Sequence, residues 1–318
     1  MQYIQEEFIK NSLTYQELIH ELKLAFRTNQ IQSPSKSVYE YTGIPKFNNN
    51  FLFMPAWDNK TVFGTKLITT TPNNVKINEP YIKGVYILFD ARNGSPLVCM
   101  DAKFMTSMRT AAASALAASY LISKKAKTLL VLGNGNLAPF FIKAHFSVHE
   151  YKKIYLWGRN ISKSKIIKEA LKSSNNLEIE LIDNYKNITA NMDVISCITS
   201  SKDSLLEISD ISNGQHLDLV GSYTPKMQEV STSIIQNCRV FTDNLDSTPN
   251  NSGEIIKAIS EQLITKQHIL GDLSSLCQDD FTKRNSETEN TLFKSTGMAL
   301  EDLVTANLIY KKFKTKNK

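Results

Sequence analysis

The chain has 318 residues, and a typical domain size of about 150 residues predicts that it forms two domains. Apolar residues make up 42% and charged residues 21%, a balance that excludes a disordered or fibrous chain. The formal charge is +6, but the basic residues are spread out except in the tail Lys311–Lys318. We interpret this tail as a frayed, solvated end, with nucleic-acid binding as the less favoured alternative, and expect no nucleic-acid partner.

Other composition signals exclude a membrane protein and a metal centre. No segment reaches the roughly 18 apolar residues of a membrane span, and Met1–Glu7 does not resemble a signal peptide, so a cytoplasmic protein with no membrane partner is expected. His145 and His149 are predicted to be a surface pair on a helix, and no metal is expected. Four cysteines without CxxC spacing are predicted to be reduced and buried: Cys99, Cys197, Cys238 and Cys277.

The N-terminal third has the pattern of an α+β domain. Apolar residues at helical spacing predict a helix over residues 1–30. Short β-prone runs separated by Pro, Asn and Gly then predict an antiparallel sheet between about 36 and 100. A helix rich in Ala and Ser follows at 106–123, with Thr106 as its N-cap.

From Thr128 onward, strands and helices alternate, which predicts an α/β fold with a Rossmann-type, doubly wound parallel sheet. A last helix at about 297–312 could return to the N-terminal domain and make that domain discontinuous. We therefore predict one domain of residues 1–124 with 297–318 and a Rossmann domain of residues 125–296. The predicted elements are strand 128–132, helix 137–146, strand 154–157, helix 163–173, and strands 179–182, 194–198, 216–221 and 240–242.

A glycine-rich turn follows the first of these strands, in the pattern GxGxxA. Gly133 permits the tight turn, Gly135 lets backbone amides approach a pyrophosphate, and Ala138 keeps the helix close to the sheet. Pro139 falls in the first helical turn, where no amide partner is lost. The sequence therefore predicts that a dinucleotide binds at Gly133, Asn134, Gly135, Asn136, Leu137 and Ala138.

The residues after the second strand indicate which dinucleotide binds. An NAD site usually has Asp or Glu there, whereas Trp157 is followed by Gly158 and Arg159. A guanidinium with Ser and Lys nearby suits a 2′-phosphate. The pattern favours NADP(H), with NAD(H) as the alternative, and predicts cofactor contacts from Arg159, Asn160 and Lys163. A solvated loop without a ligand is the alternative interpretation.

Two basic residues are candidates for binding an anionic substrate. Arg109 lies in the predicted first turn of helix 106–123, where a cation opposes the helix dipole. Its planar fork suits a carboxylate, and an ordinary intramolecular ion pair is the alternative. Lys66 lies in a β-prone run where alternation places it on one face with Gly64 and Ile68. Taken alone, Lys66 is predicted to be a surface lysine.

Several segments together resemble the ornithine cyclodeaminase/μ-crystallin family: Met54–Trp57, Gly64–Lys66, Asp90–Leu97, Met105–Ala115, the GxGxxA turn, Thr291–Ala299 and Glu301–Leu303. The resemblance implies a homodimer whose N-terminal domain binds substrate and forms the dimer, beside a dinucleotide-binding Rossmann domain. It also implies that Lys66 and Arg109 border the substrate carboxylate. Thr110 and the segment Lys294–Thr296, which includes Ser295, would lie near the cofactor.

Members of this family divide by their chemistry. Tyr223 stands where the cyclodeaminase pattern has the Asp of a proton relay, and a phenol with a pKa of about 10 is a poor base at neutral pH. The segment Leu219–Pro225 is similar to the family's Δ1-pyrroline-2-carboxylate and Δ1-piperideine-2-carboxylate reductases. Where the family commonly has a carboxylate-binding arginine, this chain has only Lys36.

We therefore predict an NAD(P)H-dependent reductase that converts a cyclic imino acid substrate to L-proline or L-pipecolate. Its predicted catalytic residues are Lys66, Arg109 and Tyr223. Two alternatives remain open. One is ornithine cyclodeaminase with recycled NAD, and the other is a non-catalytic protein that holds NADPH and a small ligand.

Overall fold

The computed structural model describes residues 1–42, 48–77, 79–175 and 177–316. The chain divides into two compact units. The first unit consists of Met1–Thr110 with Met298–Lys318, and the second unit of Ala111–Gly297. This division lies upstream of residue 124, where the sequence predicts the boundary.

The first unit contains a sheet of six described strands in the order β1-β6-β5-β4-β3-β2. Neighbouring strands are antiparallel, as predicted, except that β1 pairs with β6 in parallel. The strands are β1 (Gln2–Ile4), β2 (Ser37–Thr42), β3 (Asn48–Trp57), β4 (Val62–Thr70), β5 (Ile82–Asp90) and β6 (Pro96–Asp101).

The predicted helix over residues 1–30 is wrong in its continuity. The chain instead forms β1 and two helices, α1 (Glu6–Ser12) and α2 (Tyr15–Thr28). The break occurs because Thr14 is extended and its side chain forms a capping box with Glu17, which begins a new helix. Helical periodicity alone did not reveal this restart.

The helix that carries Arg109 begins earlier than predicted. It is α3 (Ala102–Leu121), and Asp101 Oδ1 accepts a hydrogen bond from the Lys103 N–H at 2.9 Å. Thr106 is therefore not the N-cap; it lies inside the helix. Arg109 lies beyond the first turn, so the argument from an opposed helix dipole does not apply to it.

The last helix, α11 (Ala299–Lys316), packs against α2 and strands β3, β4 and β5 of the first unit. The prediction of a frayed tail is wrong for residues 311–316, which are helical, although Lys311 and residues 314–316 are exposed as predicted. Residues 317–318 lie outside the described residues. Lys312 Nζ lies 2.6 Å from Glu17 Oε1, so this part of the tail is tied to α2.

The second unit contains a sheet of eight described strands, all parallel, in the order β13-β12-β14-β11-β10-β7-β8-β9. The predicted doubly wound sheet is confirmed, and the order reverses between β7 and β10, where such folds bind dinucleotides. The strands are β7 (Thr128–Leu132), β8 (Lys153–Trp157), β9 (Ile179–Leu181), β10 (Val194–Cys197), β11 (His216–Leu219), β12 (Arg239–Thr242), β13 (Ile269–Asp272) and β14 (Thr291–Lys294).

Helices cover this sheet and bury its apolar strands, among them Leu130, Ile195, Leu217 and Leu292, which are fully buried. The sequence did not predict β13 or β14. The helices are α4 (Ala138–Val148), α5 (Ile161–Asn175), α6 (Lys186–Thr189), α7 (Thr232–Asn237), α8 (Thr248–Asn251), α9 (Gly253–Ser260) and α10 (Leu273–Leu276).

A buried polar network surrounds Asp218 of β11. It includes His145, for which the prediction of a surface position is wrong. His145 is buried rather than on the surface, and its Nε2 lies 3.0 Å from Asp218 Oδ2. The hydroxyls of Ser196 and Ser114 donate to the same carboxylate at 2.8 and 2.7 Å. Asp218 on β11 therefore links Ser114 of α3, His145 of α4 and Ser196 of β10 through side-chain hydrogen bonds.

Among the described residues, no helix combines the length and apolar character needed to cross a bilayer. Within the same residues, no group of three or more His, Cys, Asp and Glu side chains could hold a metal ion. The cysteines are free, as predicted, but Cys99 is only partly buried.

We expect acid to destabilise the second unit through His216. This side chain is fully buried with Nδ1 2.9 Å from Thr291 Oγ1, and burial lowers its pKa to about 3, against the opposing effect of Asp218. The folded protein thus keeps His216 neutral while the unfolded chain binds a proton below pH about 6.5, so stability falls as the pH drops towards 3. Between pH 6.5 and 5, the loss is about 2 kcal/mol.

Urea unfolding at both pH values measures this loss. His216→Asn should show a smaller decrease than the wild type, while His20→Asn, at an exposed position, should decrease as the wild type does. Equal decreases in His216→Asn and the wild type would contradict the assignment.

Candidate active site

Lys66 is buried in the first unit. Residues along β4 alternate in burial, so Lys66 shares a face with Gly64 and Ile68, as predicted. That face points inward: Lys66 is 1% exposed, and the prediction of a surface lysine is wrong. Its Nζ lies 2.9 Å from Asp302 Oδ1 and 2.7 Å from Oδ2.

Arg109 meets the same carboxylate. Its Nε donates to Asp302 Oδ1 at 2.9 Å, and its guanidinium also pairs with Glu301. We call Lys66, Arg109, Glu301 and Asp302 the charged quartet; all four side chains are buried and their formal charges sum to zero. Of the two interpretations of Arg109, the intramolecular ion pair is therefore present.

The quartet is supported by a neighbouring strand and by a helix end. Glu301 and Asp302 lie in the first turn of α11, where the helix dipole favours negative charge. Tyr86 lies opposite Lys66 on β5, and a Cβ on Gly64 would lie 2.6 Å from the Tyr86 hydroxyl, so only glycine fits there. Burial, together with repulsion from Arg109, lowers the pKa of Lys66 to about 8 against the attraction of Asp302.

The glycine-rich turn of the second unit has the geometry that the motif predicts. Gly133 has φ +123°, which strains other residues, and a Cβ there would lie 3.0 Å from the Ile198 carbonyl. A Cβ on Gly135 would meet no atom within 4 Å, so the space beside this backbone is open. Pro139 lies at the start of α4, as predicted, and Ala138 is buried. These features fit a pyrophosphate at the helix N-terminus.

Asn134 joins this turn to the predicted adenosine end. Its Nδ2 donates to the Asn160 carbonyl at 2.6 Å and to Ser164 Oγ at 2.8 Å. A Cβ on Gly158 would lie 2.0 Å from Asn134 Cγ, so the glycine after β8 makes room for this link. The structure thus brings the residues predicted from the two motifs together.

Other predicted cofactor residues lie on the surface or bond within the protein. Arg159 is exposed after β8, and Asn160 Oδ1 accepts from the N–H of the exposed Lys163 at 3.2 Å. Asn136 is also exposed, and Leu137 is half-buried. In the first unit, Thr110 Oγ1 donates to the Thr106 carbonyl at 2.7 Å.

Ser295 follows β14 and is held by Asp243, a residue that the sequence did not single out. Asp243 Oδ2 accepts from Ser295 Oγ at 2.8 Å and from the N–H groups of Thr296 and Gly297 at 2.7 and 2.6 Å. This carboxylate fixes the segment after β14. No spacing rule marks Asp243, because its partners lie some fifty residues away.

Tyr223 follows β11 and is 38% exposed. Strand β11 lies between β14 and β10, so Tyr223 and Ser295 follow neighbouring strands at the same edge of the sheet. Lys36, which stands in place of an arginine, is half-buried just before β2.

Comparison with known proteins gives consistent matches over nearly the whole chain. The profile of the ornithine cyclodeaminase/mu-crystallin family matches residues 3–317. Delta(1)-pyrroline-2-carboxylate reductase of Colwellia psychrerythraea is 34% identical over 323 residues, which cover 98% of this chain and 99% of the relative. The enzyme of the same name from Bacillus cereus is 26% identical over 305 residues, 95% of this chain and 94% of the relative.

One solved structure matches the fold of this protein over the whole chain. Thermococcus litoralis Delta(1)-pyrroline-2-carboxylate reductase, in complex with NADH and L-proline, matches with a TM-score of 0.93 and 26% identity. The match covers 100% of this chain and 98% of that one.

Proposed function

Since the chain belongs to the ornithine cyclodeaminase/mu-crystallin family, we propose that it reduces cyclic ketimino acids to the corresponding L-amino acids with a nicotinamide dinucleotide. The preferred substrate is Δ1-pyrroline-2-carboxylate and the product L-proline; Δ1-piperideine-2-carboxylate would give L-pipecolate. The proposal rests on the 34% identity, over 98% of this chain, to a named reductase of the first substrate.

The second unit supplies the cofactor cradle. The backbone of Gly133–Leu137 and the N-terminus of α4 would hold the pyrophosphate, because the space beside Gly135 is open. When bound, the reduced nicotinamide supplies a hydride. Ser295 and Tyr223 lie at the edge of the sheet where doubly wound folds bind their ligands.

The first unit supplies the substrate's charge partners. We assign the substrate carboxylate to Arg109 and Lys66, which are held in place by Asp302. A protonated cyclic imine that carries a carboxylate is a zwitterion with no net charge. The quartet also has no net charge and presents both signs, so it complements such a substrate without leaving a buried charge unpaired.

The reaction adds a hydride to the imine carbon and a proton to the imine nitrogen, so that C=N becomes CH–NH. Protonation comes first, because an iminium carbon accepts hydride far better than a neutral imine does. Tyr223 or a water molecule delivers this single proton. Cyclodeamination would instead need a base that repeatedly accepts and returns protons near neutral pH, and Tyr223 is unsuited to that task.

A substrate panel tests the reaction class. The purified protein should oxidise NADH or NADPH with Δ1-pyrroline-2-carboxylate or its six-membered analogue, and it should release little ammonia from L-ornithine with NAD. Tyr223→Asp places a carboxylate at the relay position and should introduce some ornithine activity. A wild-type protein that binds NADPH but turns over none of these compounds would indicate a binding protein instead.

We further propose that the enzyme prefers NADPH, because Arg159 stands where NAD sites place a carboxylate. Arg159→Ala should weaken NADPH binding by about 1–3 kcal/mol, the contribution of a charged hydrogen bond, and should leave NADH binding unchanged. Isothermal titration with both nucleotides measures this difference. Lys172→Ala, farther along α5, is the matched control. Equal losses for both nucleotides would contradict the assignment.

We also propose a cytoplasmic homodimer formed through the first unit. The edge strand β2 exposes three large side chains, Val38, Tyr39 and Tyr41, at 50%, 59% and 44%. Such an apolar edge strand favours pairing with another surface. The four free cysteines suit a reducing compartment.

A further inference from the structure

The carboxyl edge of the parallel sheet holds buried charges that the proposed reduction does not use. Glu229, Glu254 and Lys294 are all fully buried, and Lys294 Nζ lies 3.0 Å from Glu254 Oε1. Glu229 and Glu254 contact the loops that follow β10 and β11, and Lys294 is the last residue of β14. Buried charges of this kind persist only where pairing or hydrogen bonds compensate them.

Glu229 makes four hydrogen bonds to the ends of two neighbouring strands. Its Oε1 accepts from the Thr199 N–H at 2.7 Å and from Thr199 Oγ1 at 3.0 Å. Its Oε2 accepts from the N–H groups of Gly221 and Ser222 at 2.8 and 3.1 Å. One carboxyl group therefore fixes the chain after β10 to the chain after β11.

Two glycines allow the loop Gly221–Met227 to pack closely against its neighbours. A Cβ on Gly221 would lie 1.8 Å from the Thr199 carbonyl oxygen, and one on Gly253 would lie 2.0 Å from that of Met227. The start of α9 therefore contacts the loop, and there the Ser222 hydroxyl donates to Glu254. Ser222 is thus bonded to Glu254, which in turn pairs with Lys294, and these contacts hold the loop at a second point.

We propose that Glu229 is a positioning residue for the reaction. By binding the N–H groups of Gly221 and Ser222, it holds the next residue, Tyr223, at the carboxyl edge of the sheet. The inference rests on the proposed function, in which Tyr223 serves imine reduction. Glu229 itself touches neither substrate nor cofactor; it acts through the loop.

Glu229→Gln tests this role, because an amide cannot accept all four hydrogen bonds and turns its own N–H groups towards the backbone donors. Deuterium exchange in residues 220–228 should accelerate about tenfold or more, since the loop loses its anchor. The kcat for Δ1-pyrroline-2-carboxylate should fall by about 10- to 100-fold, the effect of misplacing a reacting group. NADH binding should fall less than kcat, because Glu229 does not touch the Gly133 turn. Glu207→Gln, at an exposed position, is the matched control and should change none of these values.

Unchanged exchange in residues 220–228 would overturn the inference, and so would faster exchange with an unchanged kcat. If Glu229→Gln does not fold, Ser222→Ala removes only the second anchor and should change exchange and kcat in the same directions; unchanged values would again overturn it. If the wild-type protein reduces no cyclic imine, the proposed function fails, whereas exchange still decides whether Glu229 holds the loop.

Discussion

Arg109→Lys is expected to lower kcat/KM for Δ1-pyrroline-2-carboxylate by about 10- to 100-fold, the equivalent of one charged hydrogen bond. The guanidinium of Arg109 reaches Glu301 and Asp302 with separate nitrogen atoms, and this fork fixes the orientation of the group that we propose binds the substrate carboxylate. A lysine keeps the charge but offers a single ammonium that cannot reproduce the fork. Both a higher KM and a lower kcat are expected.

Arg92→Lys is the matched control. Arg92 also uses two nitrogen atoms to hold one carboxylate, that of Asp90, but its side chain is 78% exposed. This variant should keep wild-type kinetics. Because Arg109 is buried, thermal unfolding of each variant is measured as well, to show that the variant is folded. A folded Arg109→Lys variant with wild-type kinetics would show that Arg109 does not anchor the substrate.

Asp302→Ala is expected to have the largest effect on stability, a loss of about 3–5 kcal/mol in the free energy of unfolding. Its carboxylate is the shared partner of Lys66 and Arg109, so its removal leaves two buried cations facing only Glu301. Lys312→Ala, on the same helix as Asp302, breaks the more exposed pair with Glu17 of α2 and should cost less than about 1 kcal/mol. Urea denaturation of both variants measures the contrast.

A double variant separates the lost charge balance from lost packing. Lys66→Met with Asp302→Leu removes one charge of each sign and leaves Arg109 paired with Glu301. This variant should recover most of the stability that Asp302→Ala loses, because well-packed apolar residues replace a buried pair at little cost. A double variant no more stable than Asp302→Ala would contradict the charge-balance explanation.

Local patterns predicted the geometry of the glycine-rich turn well. The strand, the turn at Gly133 and helix α4 are adjacent in sequence, and the positive φ of Gly133 is a backbone requirement that short-range rules describe. Alternation along β4 likewise placed Lys66 on a face with Gly64 and Ile68. It could not show that the face is buried, because the partner Asp302 lies 236 residues away.

The errors have the same physical origin. His145 was predicted to be on the surface because helical spacing does not reveal which face packs on the sheet, and Asp218 decides that. Thr106 was predicted as a cap although Asp101 begins the helix directly after β6. The short strand β14 enters the sheet between β11 and β12, a placement set by long-range pairing that no local pattern shows.

The most direct test of the proposed function measures L-proline and oxidised nucleotide together in one reaction with Δ1-pyrroline-2-carboxylate. The proposed chemistry predicts that L-proline forms in equal amount to the NADH or NADPH oxidised, because each imine takes up one hydride and one proton. A parallel reaction with L-ornithine and NAD should release little or no ammonia. Ammonia release from ornithine with no net change in NAD(H) would contradict the reductase and identify a cyclodeaminase.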